Sequence, residues 1–530
     1  AAGRRARRAA GAPPAGAFAR EGAPFCRGAR RGGRGRAGAP RATPVGAPEG
    51  TGTPAGAGAG PGKAPVLPPP GRSTDLDDVI PLPNLWEQLR PRPSPFLGDN
   101  NKAMGFVSNL DRVALQSMVH GNADSIGATC SGAAIYDPSE EVCIPISPWA
   151  YRSGARRDIF FDPARVRAAV VTCGGLCPGL NDVVRGVVGS LHVYGVPEEQ
   201  VLGVRYGFRG FYSDDCPPSP LTMRDVSGIQ CRGGTILGTS RGGADLDRIV
   251  DSIQDLGVNM VFVVGGNGGN AGANEIHNTC KSRGYPCAVI GVPKSIDNDI
   301  LVIDKTFGFD TAVEEATKAI RAAFVEASSA YRGVGLVKLM GRSSGFIALH
   351  ASIASGEVDV CLVPEQQFKL QGEGGLLSHL EKVLESKGHA VVVVAEGAGQ
   401  DLLTRSGGGS GEVMRDPSGN PILADIGAFL KSEFQRNFTG GSRVDLKYID
   451  PTYMIRAVET NPSDKMYCQV LAQGAVHGAF AGFTGITVGV VNNHAAYLPI
   501  DLVTSCTRVV DVRGKTWLRL LEANNQPSFE

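Results

Sequence analysis

The chain is poor in the features that mark several common protein classes. No run of 18 apolar residues occurs in its 530 residues, so no membrane-spanning helix is expected. Twelve cysteines are too few for a disulfide scaffold at this length. No CxxC pair occurs and no spaced Cys/His quartet suggests zinc, so most thiols read as buried and reduced. The pattern GxxxxGK[ST] is absent, which excludes a Walker A loop. No repeat of fixed period is present, which removes solenoids and propellers. One dominant sign of charge is also missing, and a net charge of +1 gives no reason to expect a nucleic-acid partner. What remains is an ordinary globular composition, 42% hydrophobic, long enough for several domains or one large α/β enzyme.

The balanced charge hides an asymmetry. Residues 1–72 hold 12 Arg and one Lys against two acids, about +11, so the net +1 leaves about −10 on the rest. This Ala-, Gly-, Arg- and Pro-rich head has no apolar core long enough for a secretory signal, and it resembles a plastid transit peptide. A disordered basic tail, or untranslated sequence carried into the chain, is the other reading. The first places the mature protein in the plastid stroma, the second in the cytoplasm. Residues 73–165 read as an N-terminal extension with some helix, and residues 501–530 as a C-terminal tail. The stretch 404–419 is rich in Gly and Ser and reads as a mobile loop.

Between these flanks, short β-branched runs of strand length recur at Ala168–Thr172, Val258–Val264, Ala288–Val292, Gly335–Leu339 and Ala390–Ala395. Amphipathic stretches such as Asp310–Ala327 separate them. Alternation of this kind predicts an α/β fold with parallel sheets flanked by helices. More than 300 residues of it predict two such lobes with a cleft between them.

The ends of these runs carry the chemistry, as expected of open α/β sheets, where ligands gather beyond the carboxyl ends of strands. Pro293-Lys294-Ser295-Ile296-Asp297-Asn298-Asp299 places two carboxylates at i and i+2 behind a hydroxyl. One can take a proton while the other anchors a cation. Glycine-rich turns follow the runs ending at Thr172 (Cys173 to Asn181) and Val264 (Gly265 to Ala273), and another spans Gly233 to Gly243. Glycines let backbone amides approach phosphate, and a following helix N-terminus favours the anion. Arg241 among small residues suits a phosphate clamp. Further tips are Met340-Gly341-Arg342 and Glu396-Gly397.

Taken together, GGLCPGLN (174–181), GGTILGTSRGG (233–243), PKSIDNDI (293–300), FGFDTAVEEA (307–316), VKLMGRSSGFIALHASIASGEVDVCLVPE (337–365), AEGAG (395–399) and YIDPTYMIRA (448–457) resemble the phosphofructokinase family, in its long plant-type ATP-dependent branch. The resemblance spans about 166–490. It implies two Rossmann-like lobes, 166–300 mainly for ATP and 301–500 mainly for sugar phosphate, with some interleaving and the active site between them. It implies an allosteric, glycolytic transferase that moves the ATP γ-phosphoryl to the 1-hydroxyl of fructose 6-phosphate with Mg2+. By the same resemblance Asp297 is the base, and Asp299 and Arg342 complete the catalytic set. Gly174, Gly175, Arg241, Gly242, Gly266, Asn267, Gly268 and Gly269 face ATP. Ser295, Ile296, Asp297, Met340, Gly341, Arg342, Glu396, Tyr453 and Arg456 face the sugar phosphate. Asp299 and Asn267 stand at the metal position. A homo- or hetero-tetramer is the implied assembly.

Two positions decide details. Pyrophosphate-using relatives carry Asp where this chain has Gly268, and the smaller residue leaves room for a nucleotide; Lys294 is shared with the pyrophosphate enzymes and pulls the other way. The family's GGDGT reads GGNGG here, so Asn267 replaces a carboxylate and is the weaker magnesium ligand. That substitution opens two alternatives to a full kinase: a weakly active or regulatory subunit, and a sugar-phosphate or nucleotide sensor. A lipid or nucleotide kinase with a similar glycine loop ranks last, having no use for MGR and PTYMIR. Cys173 and Cys177 flank the first glycine turn, either as buried thiols or as a redox switch.

Overall fold

A computed structural model describes residues 78–97, 105–117, 134–137, 142–240, 242, 245–406 and 422–529. The basic segment 1–72, Arg241 and residues 407–419 of the glycine- and serine-rich stretch lie outside the described residues.

Two sheets organise the fold. The large one has nine strands. Its centre is parallel: Val201–Val204, Ala168–Thr172, Met260–Gly265, Ala288–Pro293 and Ile486–Val491 lie side by side. Every residue of Ala168–Thr172, Met260–Gly265 and Ala288–Pro293 is buried, because helices cover both faces. Val170, Phe262 and Ile290 pack with helices Leu180–Tyr194 and Pro462–Phe480. Val171, Val263 and Val289, of opposite parity, pack with Leu246–Asp255 and Asn267–Ser282. Antiparallel strands close the edges. His494–Pro499, Trp149–Arg152 and Arg112–Ala114 extend one side, and Ser219–Pro220 the other.

The small sheet has four parallel strands in the order Val360–Leu362, His389–Ala395, Gly333–Leu339, Asp445–Ile449. Helices Phe309–Ser328 and Phe346–Ser355 cover the face presenting Val337, Leu339 and Val393. Leu376–Lys387 and Ile426–Asn437 cover the face of Leu336, Val392 and Val394.

The five expected strands are present within two residues of their expected bounds. The division along the chain is less simple. Ile486–Val491 and His494–Pro499 fall inside 301–500 yet belong to the large sheet, since parallel neighbours need a long crossover and sequence order does not dictate spatial order. Residues 501–530, expected as a C-terminal tail, include the helix Lys515–Asn524, whose Trp517 and Leu520 are buried in the small-lobe core. The extension 73–165 supplies the two outermost strands on one side of the large sheet, Trp149–Arg152 and Arg112–Ala114, and a segment anchored through Trp86, whose indole N–H donates to the Ala481 carbonyl at 2.8 Å. No described helix is long and apolar enough to cross a membrane.

Candidate active site

The turn after Ala288–Pro293 sits where the two lobes meet. Ile296 packs against the cores of both. Lys294 is 8% exposed, and its ammonium donates to the Gly175 carbonyl at 2.9 Å, joining this turn to the first glycine turn. Burial of that ammonium lowers its pKa. The Ser295 hydroxyl donates to one oxygen of Asp299, and the Asn267 amide donates to the other at 3.4 Å. Asn298 takes a left-handed conformation, φ +57°, and its side-chain oxygen accepts the Thr306 N–H at 3.0 Å. The Thr306 hydroxyl in turn donates to the Ser295 carbonyl.

Asp297 is held differently. One of its carboxylate oxygens is shut off from solvent and has no hydrogen-bond partner. Burial, then repulsion by Asp299 and Glu396, pushes its pKa up to about 7, with Arg342 and Lys294 opposing. A carboxyl poised near neutrality with a free oxygen suits proton abstraction from a hydroxyl.

The glycine turns stack beside this group. Gly174 has φ +87°, and a Cβ there would stand 3.2 Å from the Lys294 ammonium. Its N–H donates to the Ser240 carbonyl at 3.1 Å, and its carbonyl accepts the Thr239 hydroxyl at 2.6 Å. The 233–243 turn therefore lies on the first one and brings Gly242, φ +68°, alongside. Gly266 caps helix Asn267–Ser282, so Asn267, Gly268 and Gly269 form the positive end of its dipole. A Cβ built at Gly268 meets nothing within 4 Å.

The small lobe contributes Met340, buried, and Gly341, whose φ of +130° turns the chain so that its carbonyl accepts the Gly397 N–H at 3.0 Å. Arg342 Nε lies 3.8 Å from Glu396. The Ser344 hydroxyl, from the small lobe, donates to the Asp297 carbonyl at 3.4 Å. Arg456 donates to the Leu176 carbonyl at 3.4 Å and so joins the group, whereas Tyr453, three residues earlier, is 83% exposed and stands apart from it.

The donor set suits one hard divalent cation only sparsely. Among the described residues no group of three or more His, Cys, Asp or Glu is arranged to hold a metal. Asp299 is the single carboxylate at that position, and the side-chain oxygen of Asn267 beside it is buried without a partner. An orphaned oxygen next to a carboxylate fits a magnesium that keeps several waters and phosphate ligands.

The sequence profile of the phosphofructokinase family matches residues 167–479. The chain belongs to the phosphofructokinase family. It is 50% identical over 426 residues to the ATP-dependent 6-phosphofructokinase 5, chloroplastic, of Arabidopsis thaliana, covering 80% of this chain and 76% of that one. It is 42% identical over 446 residues to the ATP-dependent 6-phosphofructokinase of Amycolatopsis methanolica, covering 82% and 92%. Among solved structures, the pyrophosphate-dependent phosphofructokinase from Marinobacter aquaeolei aligns with a TM-score of 0.55 at 19% identity, over 68% of this chain and 91% of that one; this likeness concerns the fold.

Several residues that brace this candidate site were not singled out from sequence. Asn270 donates to the Gly265 carbonyl at 2.8 Å and the Gly266 carbonyl at 3.1 Å, fixing the glycine turn. Asn181 accepts the Ile236 N–H at 2.9 Å and donates to the Arg232 carbonyl at 3.1 Å, tying 233–243 to the first helix. Asn181 closes the quoted GGLCPGLN motif and Asn270 lies in the Gly265 to Ala273 turn, which is the only signal that could have found them. Cys173 and Cys177 are buried, and burial pushes both thiols up to about 12, so neither is a thiolate at neutral pH. Cys143, unlike the free thiols, is disulfide-bonded.

Proposed function

We propose that the chain is an ATP-dependent 6-phosphofructokinase, transferring the γ-phosphoryl of ATP to the 1-hydroxyl of fructose 6-phosphate to give fructose 1,6-bisphosphate and ADP. The observation that carries this reading is Asp297: a carboxylate oxygen with no partner, a pKa near 7, and a place between a glycine-lined cradle and Arg342. The names of the ATP-dependent relatives at 50% and 42% identity support it.

In this reading the backbone amides at Gly174, Gly175 and 266–269, with Arg241 and Gly242, hold the triphosphate. Fructose 6-phosphate lies against Ser295, Ile296, Met340 and Gly341, with Glu396 on its hydroxyls and Arg456 on the 6-phosphate. Tyr453 reaches that phosphate only if its exposed ring turns inward or is met by a second subunit in a tetramer. Asp297 accepts the proton of the 1-hydroxyl as that oxygen attacks, the bond to the ADP oxygen breaks, and the charge on the transferring group is met by Lys294 and Arg342. Magnesium would be held by Asp299 and the Asn267 oxygen, and when bound it neutralises phosphate charge. The remaining work is positioning, which dominates phosphoryl transfer. Asn267 in place of a carboxylate weakens one metal contact and leaves the base intact. A plastid location is proposed from the basic head together with the chloroplastic relatives.

The test is phosphorylation of fructose 6-phosphate with magnesium and either ATP or pyrophosphate as donor. Turnover with ATP alone is expected. Turnover only with pyrophosphate would overturn the donor assignment, and saturable binding without turnover would leave a regulatory subunit or sensor.

A further inference from the structure

The C-terminal segment past Val503 lies outside the residues that match the family profile, yet it runs between the two catalytic turns. The Arg508 N–H donates to the carbonyl of Asp299 at 2.9 Å. Its guanidinium donates to two consecutive carbonyls of the same turn, Ile303 at 3.0 Å and Asp304 at 2.9 Å. The guanidinium also lies over the ring of Phe346, 4.9 Å from its centroid, at the start of the helix that follows Arg342-Ser343-Ser344-Gly345. Two residues on, the Val510 N–H donates to the Glu365 carboxylate at 2.7 Å, and that carboxylate also accepts the Gly345 N–H at 2.9 Å. One strand of chain thus grips the Asp299 turn of the large lobe and the Arg342 turn of the small lobe.

The gripped turn is strained. Val302 has φ +68°, a conformation rare for a β-branched residue and costing about 1–3 kcal/mol unless its surroundings enforce it. Asn298 in the same turn is also left-handed. The two carbonyls bonded by Arg508 follow Val302 directly. One guanidinium nitrogen, Nη1, bonded to two successive carbonyls is a device for holding backbone in an unfavourable shape.

We propose that residues 505–512 form a strap that keeps the turns bearing Asp297 and Arg342 in register, with Arg508 as its positioning residue. This rests on the proposed kinase function for its effect on rate. Arg508 does not touch the reacting atoms; it acts through the backbone of Asp299. Because a displacement of about 1 Å at reacting groups can cost about 100-fold in rate, loss of the grip acts on kcat more than on KM.

The experiment compares the full chain with Arg508→Ala and Arg508→Lys. Thermal unfolding confirms that each is folded at the assay temperature. For Arg508→Ala, kcat is expected to fall about 10- to 100-fold while KM for ATP and fructose 6-phosphate moves less than about threefold. Arg508→Lys, which keeps the charge and some donors, is expected to recover part of the rate. Hydrogen exchange across residues 296–304, which needs no turnover, is expected to speed up in Arg508→Ala and less so in Arg508→Lys. A folded Arg508→Ala with parental kcat, or with parental exchange in 296–304, would overturn the strap. If the parent itself shows no kinase activity, the functional reading fails and the exchange alone decides the strap. If Arg508→Ala does not fold, Arg508→Lys decides by both readouts: slower turnover with faster exchange supports the strap, and parental values overturn it.

Discussion

Replacing Asp297 by Asn is expected to lower activity sharply and to stabilise the protein, with a dependence on pH that separates the two causes. The buried carboxyl titrates at about 7 in the folded protein, against an ordinary value of 3.8, chiefly because burial and then Asp299 and Glu396 disfavour its charge. The folded state therefore holds a proton that the unfolded state releases between about pH 4 and 7. Stability falls as pH rises across that window, and the loss is complete above the folded value. At about 1.4 kcal/mol for each tenfold change, the ionised form costs up to about 4 kcal/mol; the slight exposure of the residue brings the expected figure to about 2–4 kcal/mol. Asn carries no charge, so Asp297→Asn is expected to match the parent in stability near pH 3, below the ordinary carboxyl value of 3.8, and to exceed it by that amount at pH 8. Urea unfolding at the two pH values reads the difference. Turnover is expected to fall by about 100-fold or more, the ordinary worth of a general base. A variant no more stable than the parent at pH 8, or equally stabilised at both pH values, would refute the reasoning about Asp297.

Other expectations concern the same cleft. The acid limb of kcat/KM for the parent is expected near pH 7, with activity rising as Asp297 ionises, and it is expected to vanish in Asp297→Asn. Gly268→Asp enters open space at the start of a helix, so thermal stability is expected to hold or rise slightly while KM for ATP increases at least about tenfold, because the added carboxylate repels and crowds the phosphates; unchanged ATP kinetics would show that position 268 does not face the nucleotide. Asn267→Asp is expected to lower the magnesium concentration needed for half-maximal rate, read by titration, since a carboxylate replaces a neutral amide oxygen. Asn298→Ala is expected to cost about 1–3 kcal/mol in urea unfolding, through lost contact with Thr306 and the strain of φ +57°, and Asn298→Gly less.

The parts of the fold that are legible in the sequence are those buried on both faces. Met260–Gly265 and His389–Ala395 read as unbroken apolar runs because helices cover each side of their sheet. Val201–Val204 and Val360–Leu362 are too short to stand out, being set in place by their longer neighbours. Helix Pro462–Phe480 is buried around most of its circumference, which erases the polar stripe that would mark its period. Within the site, the residues with distinctive chemistry were visible and their supports were not. Asp297, Asp299 and Arg342 announce themselves as charge at strand ends. Asn181, Asn270 and Thr306 act by bonding to main chain, and nothing about an Asn or Thr says which carbonyl it will meet. Arg508 is the extreme case: an isolated arginine about 210 residues from the turn it holds, linked to it only by the path of the chain.

That path crosses between the lobes three times. It leaves the large sheet after Pro293, returns with Ile486–Val491, and leaves again past Pro499 to end in the small-lobe core. No single cut can therefore separate the chain into two pieces that each own a finished sheet and its covering helices. A break between the lobes at residue 300 strands two strands of the large sheet with the wrong fragment, and one at residue 505 strips the small lobe of Trp517. The two halves of this protein are inseparable as genetic parts even though they are distinct as shapes, so recombination with a relative must exchange both lobes together or graft side chains one at a time.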